Sequence, residues 1–185
     1  MKYCSDCGGR VLLEIPPGDD RSRYCCQQCR RVHYQNPVMV VGCVPEWAGE
    51  ILLCKRAIEP RHGTWTLPAG YLENGETVEN GARRELMEEA GASALEMTPY
   101  GLYDIPHIGQ IYMMFRTKLK DAEFKPGPES LKARLFSLDQ IPWEELAFPV
   151  IRTTLENYYR DAAAGTFSFH IDNITQRLAE IDTGP

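Results

Sequence analysis

Five of the seven cysteines, Cys4, Cys7, Cys25, Cys26 and Cys29, fall within the first 29 residues, and that placement constrains the fold more than any other feature of the chain. Disulfide scaffolds spread an even number of cysteines through a small domain, whereas here only Cys43 and Cys54 follow. In a reducing compartment, clustered pairs are metal ligands more often than cross-links. Cys4-x2-Cys7 and Cys26-x2-Cys29, with eighteen residues between them, have the spacing of a four-cysteine zinc site. Cys25 is an alternative ligand, although the two-residue spacing favours Cys26. The segment around them has a Pro-Pro-Gly-Asp-Asp turn and too few apolar residues for a core, so bound zinc substitutes for one.

The character changes at Pro37, so we expect a small zinc ribbon over 1–36, a main domain over 37–165 and a tail over 166–185. Val38 to Val44 and Ile51 to Cys54 are short apolar runs around a turn at 45–50, which predicts a hairpin. Cys43 and Cys54 inside them read as buried thiols. Residues 60–76 are rich in turn formers and predict a loop. From Thr77 the spacing of Val78, Ala82, Leu86 and Ala90 predicts a helix, closed by Gly91. Gln110 to Leu119 and Ala133 to Leu138 predict strands, Ile141 to Ala147 a short helix, and Val150 to Ala164 a longer one. The tail has a weak strand pattern at 167–171 and a weak helical one at 174–181. The order is mixed α/β.

At ~100° per residue, Glu85, Glu88 and Glu89 fall within about 100° of one helix circumference. A run of charge is commonly a solvated face, and like charges three and four apart repel. The preceding loop favours another reading. Magnesium and similar hard cations take carboxylate and carbonyl oxygens, and a glycine in Leu67-Pro68-Ala69-Gly70 lets backbone approach the helix. Arg56 and Arg61, upstream of that loop, could clamp a phosphate or simply lie on the surface. Trp65 could line a nucleotide pocket or pack in the core.

From Gly70 to Ala92 the sequence GYLENGETVENGARRELMEEAGA resembles the Nudix box, G-x5-E-x7-R-E-U-x-E-E-x-G-U with U aliphatic. Gly70, Glu76, Arg84, Glu85, Leu86, Glu88, Glu89, Gly91 and Ala92 fill it without a gap. The resemblance implies an α/β/α sandwich with a mixed sheet. It implies Glu85, Glu88 and Glu89 as ligands of magnesium or manganese (Mg²⁺ or Mn²⁺), with the Ala69 or Gly70 carbonyl beside them. Arg84 would orient the carboxylates and Glu76 would brace the loop. The family draws a last ligand or general base from a later segment, for which Glu129 in Pro128-Glu129-Ser130 is the candidate. A solvated loop carboxylate is its plainer reading.

The implied activity is hydrolysis of the pyrophosphate bond of a nucleoside diphosphate derivative. The cysteine pairs together with HYQNP, VVGCVPEW, LLCKRAIEPRHGTWTLPAGYLENGET and PGPESLKARLF resemble a zinc-ribbon Nudix group associated with FAD and ADP-ribose. NADH pyrophosphatases share that layout but carry S-Q-P-W-P-F-P-x-S after the box, where this chain has Tyr103-Asp104-Ile105-Pro106-His107-Ile108-Gly109. Coenzyme A hydrolases have an upstream pattern that Arg56 and Arg61 meet only in part. A Nudix sensor that binds a nucleotide without cleaving it is a further alternative, against which the intact glutamates weigh. Many relatives pair, so a homodimer is expected.

A net charge of −6 argues against a nucleic-acid surface, which depends on Lys and Arg neutralising phosphates. The expected partner is a small nucleotide. No run of apolar residues is long enough to cross a membrane, and Met1-Lys2-Tyr3-Cys4 leads straight into the cysteine motif, so a cytoplasmic protein is expected. The ribbon's own role is open between a structural lid, a dimer element and a partner surface. His33 is expected only to pack or hydrogen-bond.

Overall fold

Val38 to Val44 continues through Pro45 to Trp47, so β4 (Val38–Trp47) and β5 (Glu50–Arg56) meet in a tighter hairpin than the turn at 45–50 predicts. Only Ala48 and Gly49 form the turn, both with positive φ (51° and 85°), the backbone that suits the right-handed twist of a two-residue connection. The computed structural model describes residues 1–175, in two compact units that divide between Asn36 and Pro37.

In the first unit, β1 (Val11–Glu14), β2 (Arg23–Cys26) and β3 (Val32–His33) form an antiparallel three-stranded sheet. Its apolar cluster is small: Cys4, Val11 and Cys26, with Tyr24 against them.

The second unit is built on a mixed sheet. After β5 come β6 (Trp65–Thr66), β7 (Ala69–Tyr71), helix α1 (Val78–Ala90), β8 (Ala94–Ile105), β9 (Gln110–Leu119), β10 (Ser130–Phe136), helix α2 (Pro149–Ala164) and β11 (His170–Asn173). The strand order is β10-β5-β4-β9-β8-β11, with β6 paired to β5 and β7 to β4. β4 and β9 run parallel, as do β11 and β8, while the other neighbours are antiparallel.

Side chains alternate across the sheet, as strand geometry requires. Val41, Cys43, Leu52 and Cys54 face α1 and pack on Ala82, Leu86 and Ala90. Val44, Ile51 and Leu53 face the other way, onto Val150, Ile151, Leu155 and Tyr158 of α2. The result is the expected sandwich, a mixed sheet between helices. Cys43 and Cys54 are buried, and burial pushes their thiols far up, Cys54 to about 12.

The structure departs from the local expectations at several places. The predicted loop at 60–76 holds the two short strands β6 and β7, and Trp65 is a core residue in edge-to-face contact with Phe136 at 4.9 Å. The short helix expected over 141–147 is reduced to a three-residue 3-10 helix at Trp143–Glu145, after another at Leu138–Gln140. The twelve-residue strand β8 had no clear sequence signal, because irregularities between Ala94 and Met97 and between Pro99 and Gly101 break its alternation. The tail strand lies at 170–173, and most of the weak helical segment at 174–181 lies outside the described residues. Among the described residues no helix is long and apolar enough to cross a membrane.

Candidate active site and cysteine cluster

Helix α1 begins where the Thr77 side chain accepts the Asn80 N–H at 3.2 Å, and ends at Gly91 in the left-handed region with φ of 58°. Those limits set which residues face the sheet. Glu85 and Glu89 share the face of Ala82 and Leu86 and are only 8% and 7% exposed, whereas the Glu88 side chain is 58% exposed. A solvated acidic face is therefore ruled out for two of the three carboxylates.

Arg84 holds the group in place. Its Nη1 donates to Glu85 Oε1 (2.6 Å) and Glu88 Oε2 (3.0 Å). Its Nε and Nη2 grip both oxygens of Glu76 (3.1 and 2.8 Å), and Nη2 also reaches the Tyr71 carbonyl (3.0 Å). Glu76 additionally accepts the Glu73 N–H at 2.8 Å, and the Arg84 guanidinium holds its carboxyl below the usual range. One guanidinium thus ties the loop to the helix.

Burial pushes the Glu89 carboxyl up to about 8, and the charge of Glu85 adds to this, against a weaker opposing pull from the Ala69 N–H and Arg56. Burial also raises Glu85, partly offset by Arg84. Glu89 Oε2 is buried without a hydrogen-bond partner. An orphaned carboxylate oxygen is costly in a folded protein and fits a position where a cation completes the shell.

Glu129 comes from a distant segment. Lys125 N–H donates to Ala90 O (2.8 Å) and Gly127 N–H to Glu89 O (3.0 Å), which docks this loop on the end of α1. The Glu129 carbonyl then accepts the Ala57 N–H at 2.8 Å, and its carboxylate acts on both Glu85 and Glu89. Glu85, Glu88, Glu89, Glu129, Ala69 and Gly70 all line one cleft of about 1030 Å³.

The two upstream arginines part company. Arg56 lines the cleft, with Nε bound to Pro60 O at 2.9 Å and its guanidinium 5.1 Å from the Phe148 ring centre. Arg61 turns the 57–64 loop with φ of 68°, its carbonyl accepting from Thr64, and the cleft wall there is formed by Ile58, Glu59 and Pro60. Ile105, Tyr112, Phe148, Val150 and Ile174 form an apolar part of the cleft wall. Sequence reading missed these five as site residues, since each has the apolar character of an ordinary core position.

In the ribbon, the ligand atoms of Cys4, Cys7, Cys26 and Cys29 all lie within 4.8 Å of one another. Cys4 Sγ is 3.7 Å from Cys29 Sγ and Cys7 Sγ is 3.5 Å from Cys26 Sγ. Tetrahedral zinc at ~2.3 Å from sulfur needs edges of about 3.8 Å, so the donor set fits that ion. Two like turns bring the sulfurs together: Gly8 N–H donates to Cys4 O and Arg30 N–H to Cys26 O, both at 3.0 Å. The Cys29 N–H reaches Cys26 Sγ at 3.4 Å and pulls that thiol down to about 6. Cys25 Sγ faces Glu14 O instead, and His33 Nε2 lies 3.3 Å from Cys4 Sγ.

The comparisons with known proteins agree with this layout. A family model for the NUDIX domain matches residues 35–158, and one for the Nudix N-terminal zinc ribbon matches 2–35. The chain is 28% identical over 166 residues to an NAD-capped RNA hydrolase NudC of Vibrio parahaemolyticus, a match covering 87% of this chain and 60% of that one. It is 34% identical over 121 residues to an ADP-ribose pyrophosphatase of Methanocaldococcus jannaschii, covering 62% and 69% respectively. The crystal structure of a NUDIX hydrolase from Nitrosomonas europaea superposes with a TM-score of 0.91 at 52% identity, over 94% of this chain and 99% of that one. The chain thus spans about 60% of the length of the NAD-capped RNA hydrolase it matches.

Proposed function

This chain belongs to the Nudix hydrolase family, and on that premise we propose that it hydrolyses the pyrophosphate bond of a nucleoside diphosphate derivative, FAD or ADP-ribose, releasing AMP. The observation that carries this reading is the buried, unpartnered Oε2 of Glu89, set in one cleft with Glu85, Glu88 and Glu129. Glu85, Glu88, Glu89 and the Ala69 or Gly70 carbonyl would hold magnesium or manganese. Bound there, divalent ions would neutralise the diphosphate oxygens and lower the pKa of a water.

The chain's own groups do the rest. Arg84 fixes the carboxylates through its contacts to Glu76, Glu85 and Glu88. Arg56 faces the cleft beside Glu89 and clamps a phosphate oxygen. Glu129 or a glutamate of the box takes the proton of the attacking water as the water oxygen bonds to phosphorus and the bridging P–O bond breaks, leaving two monophosphates. In the ribbon, the four cysteines hold a structural zinc ion. The chain works as a homodimer, which light scattering reads as twice the 21.0 kDa mass of the chain.

A second reading, cleavage of NADH or of an NAD-capped RNA end, is favoured by the named activity of the Vibrio relative. Against it, Ile105, His107 and Ile108 line the cleft, and they come from the stretch that departs from the nicotinamide-enzyme pattern. The test is AMP release from FAD, ADP-ribose, NADH and an NAD-capped oligoribonucleotide, with Mg²⁺ or Mn²⁺. FAD or ADP-ribose is expected to turn over with the highest kcat/KM. Faster cleavage of NADH or the capped RNA selects the second reading, and binding without turnover of any of the four makes the protein a sensor.

A further inference from the structure

The cleft opens at one end of the sheet, where β4, β9 and β10 begin and β5 and β8 end. Its two walls belong to opposite faces. The acidic wall comes from α1, whereas the other continues the core under α2 through Ile105, Tyr112, Phe148, Val150 and Ile174. Catalysis at a diphosphate does not require that apolar wall.

Ile174 reaches it by a strap. After α2 the chain turns back at Gly165, and Asp161 Oδ2 gathers three groups: Ser168 N–H at 3.2 Å, His170 Nε2 at 2.8 Å and Tyr100 OH at 3.1 Å. Strand β11 then adds to β8 in parallel, from His170 opposite Gly101 to Asn173 opposite Asp104, and Ile174 N–H donates to Asp104 O at 2.8 Å. Among the described residues after α2, Ile174 alone is buried, at 6% exposure, while Ile171 is 70% exposed. The strap's one deep apolar anchor sits in the cleft wall.

We propose that this wall seats the flat heteroaromatic ring of the nucleotide, and that Ile174, carried by the C-terminal strap, helps determine which ring fits. Tyr112 and Phe148 offer ring surface, a branched aliphatic side chain packs on a flat ring, and Arg56 beside Phe148 links this wall to the phosphate end. The inference rests on the pyrophosphohydrolase reading for its ligand class. Adenine and isoalloxazine share the required chemistry, so the test carries one arm for each.

AMP and FMN have no anhydride bond to cleave, so their affinities report the ring seat separately from turnover. Each is titrated in Mg²⁺ buffer against the native chain and its variants, by calorimetry for AMP and flavin fluorescence for FMN. Ile174→Ala is expected to weaken at least one of them ~10-fold, with Ile174→Leu restoring it to within about threefold. If the alanine variant fails to fold in a thermal melt, Ile174→Val removes one methyl group and is expected to weaken binding by up to about fourfold. Turnover of the cognate substrate, FAD or ADP-ribose, should show the loss in KM, with kcat unchanged within about twofold. The ring whose binding is lost names the occupant. Unchanged affinity for both in the variants, or no binding of either by the native chain, overturns the proposal even if FAD or ADP-ribose is hydrolysed.

Discussion

Gly70 passes so close to Glu85 that a Cβ on Gly70 would stand 2.4 Å from the Glu85 carboxyl carbon. No side chain occupies such a space, so the loop can reach the helix only without one. Gly70→Ala is expected to displace Glu85 and lower kcat/KM for ADP-ribose by about 10- to 100-fold, with a small loss of melting temperature. Steady-state kinetics beside a thermal melt check this. Unimpaired turnover would show that Glu85 need not sit where it does.

Arg84 makes five hydrogen bonds to Glu76, Glu85, Glu88 and the Tyr71 carbonyl. A lysine ammonium cannot span that fork. Arg84→Lys should therefore raise the Mg²⁺ concentration for half-maximal activity by about 10- to 100-fold. The readout is a metal titration of activity, and an unshifted midpoint contradicts the orienting role.

Glu89 gives a pH signature in the absence of divalent cations. Its folded pKa, about 8, lies above the ordinary 4.5, so the fold favours the neutral acid. Its stabilising contribution is full below the ordinary value and is lost as pH rises through about 8. In chelator, the native chain should lose melting temperature across that window, while Glu89→Gln should lose less, by on the order of 5 °C. With Mg²⁺ present the same variant should turn over at least about 100-fold more slowly. Parallel melting curves in chelator would remove the buried-acid argument.

Gly127 is the packing point of the Glu129 loop, since a Cβ there would fall 1.6 Å from Glu88 O. Gly127→Ala must push the loop off α1 and carry Glu129 with it. Turnover is expected to fall ~10-fold or more, with a melting temperature several degrees lower. An alanine variant with native kinetics would detach Glu129 from the chemistry.

For the ribbon, elemental analysis of the purified chain should find one zinc per protein. Cys26→Ser should lose it and Cys25→Ser should keep it, because Cys26 Sγ lies in the cluster and Cys25 Sγ faces Glu14 O. The reverse order of retention contradicts the ligand assignment.

Much of this protein is legible residue by residue. The spacing of Val78, Ala82, Leu86 and Ala90 specifies α1, and the two C-x2-C pairs specify the ribbon's turns, because helical periodicity and tight turns are encoded by neighbours a few positions apart. The Gly70 to Ala92 match identifies the family for the same reason. β8 carries no such signature because its bulges erase the period of two, and a tryptophan at position 65 suits a pocket or a core alike.

Local spacing also places Glu85, Glu88 and Glu89 on one helical face, but it does not say whether that face meets water. Tertiary packing decided it, burying Glu85 and Glu89 against the sheet and leaving Glu88 out. The same packing brought Glu129 to the end of α1, kept Arg56 in the cleft while Arg61 turned the loop beside it, and carried Ile174 from the tail into the opposite wall. Desolvation and convergence depend on residues far apart in the chain, and no periodicity along the backbone records which of them will meet.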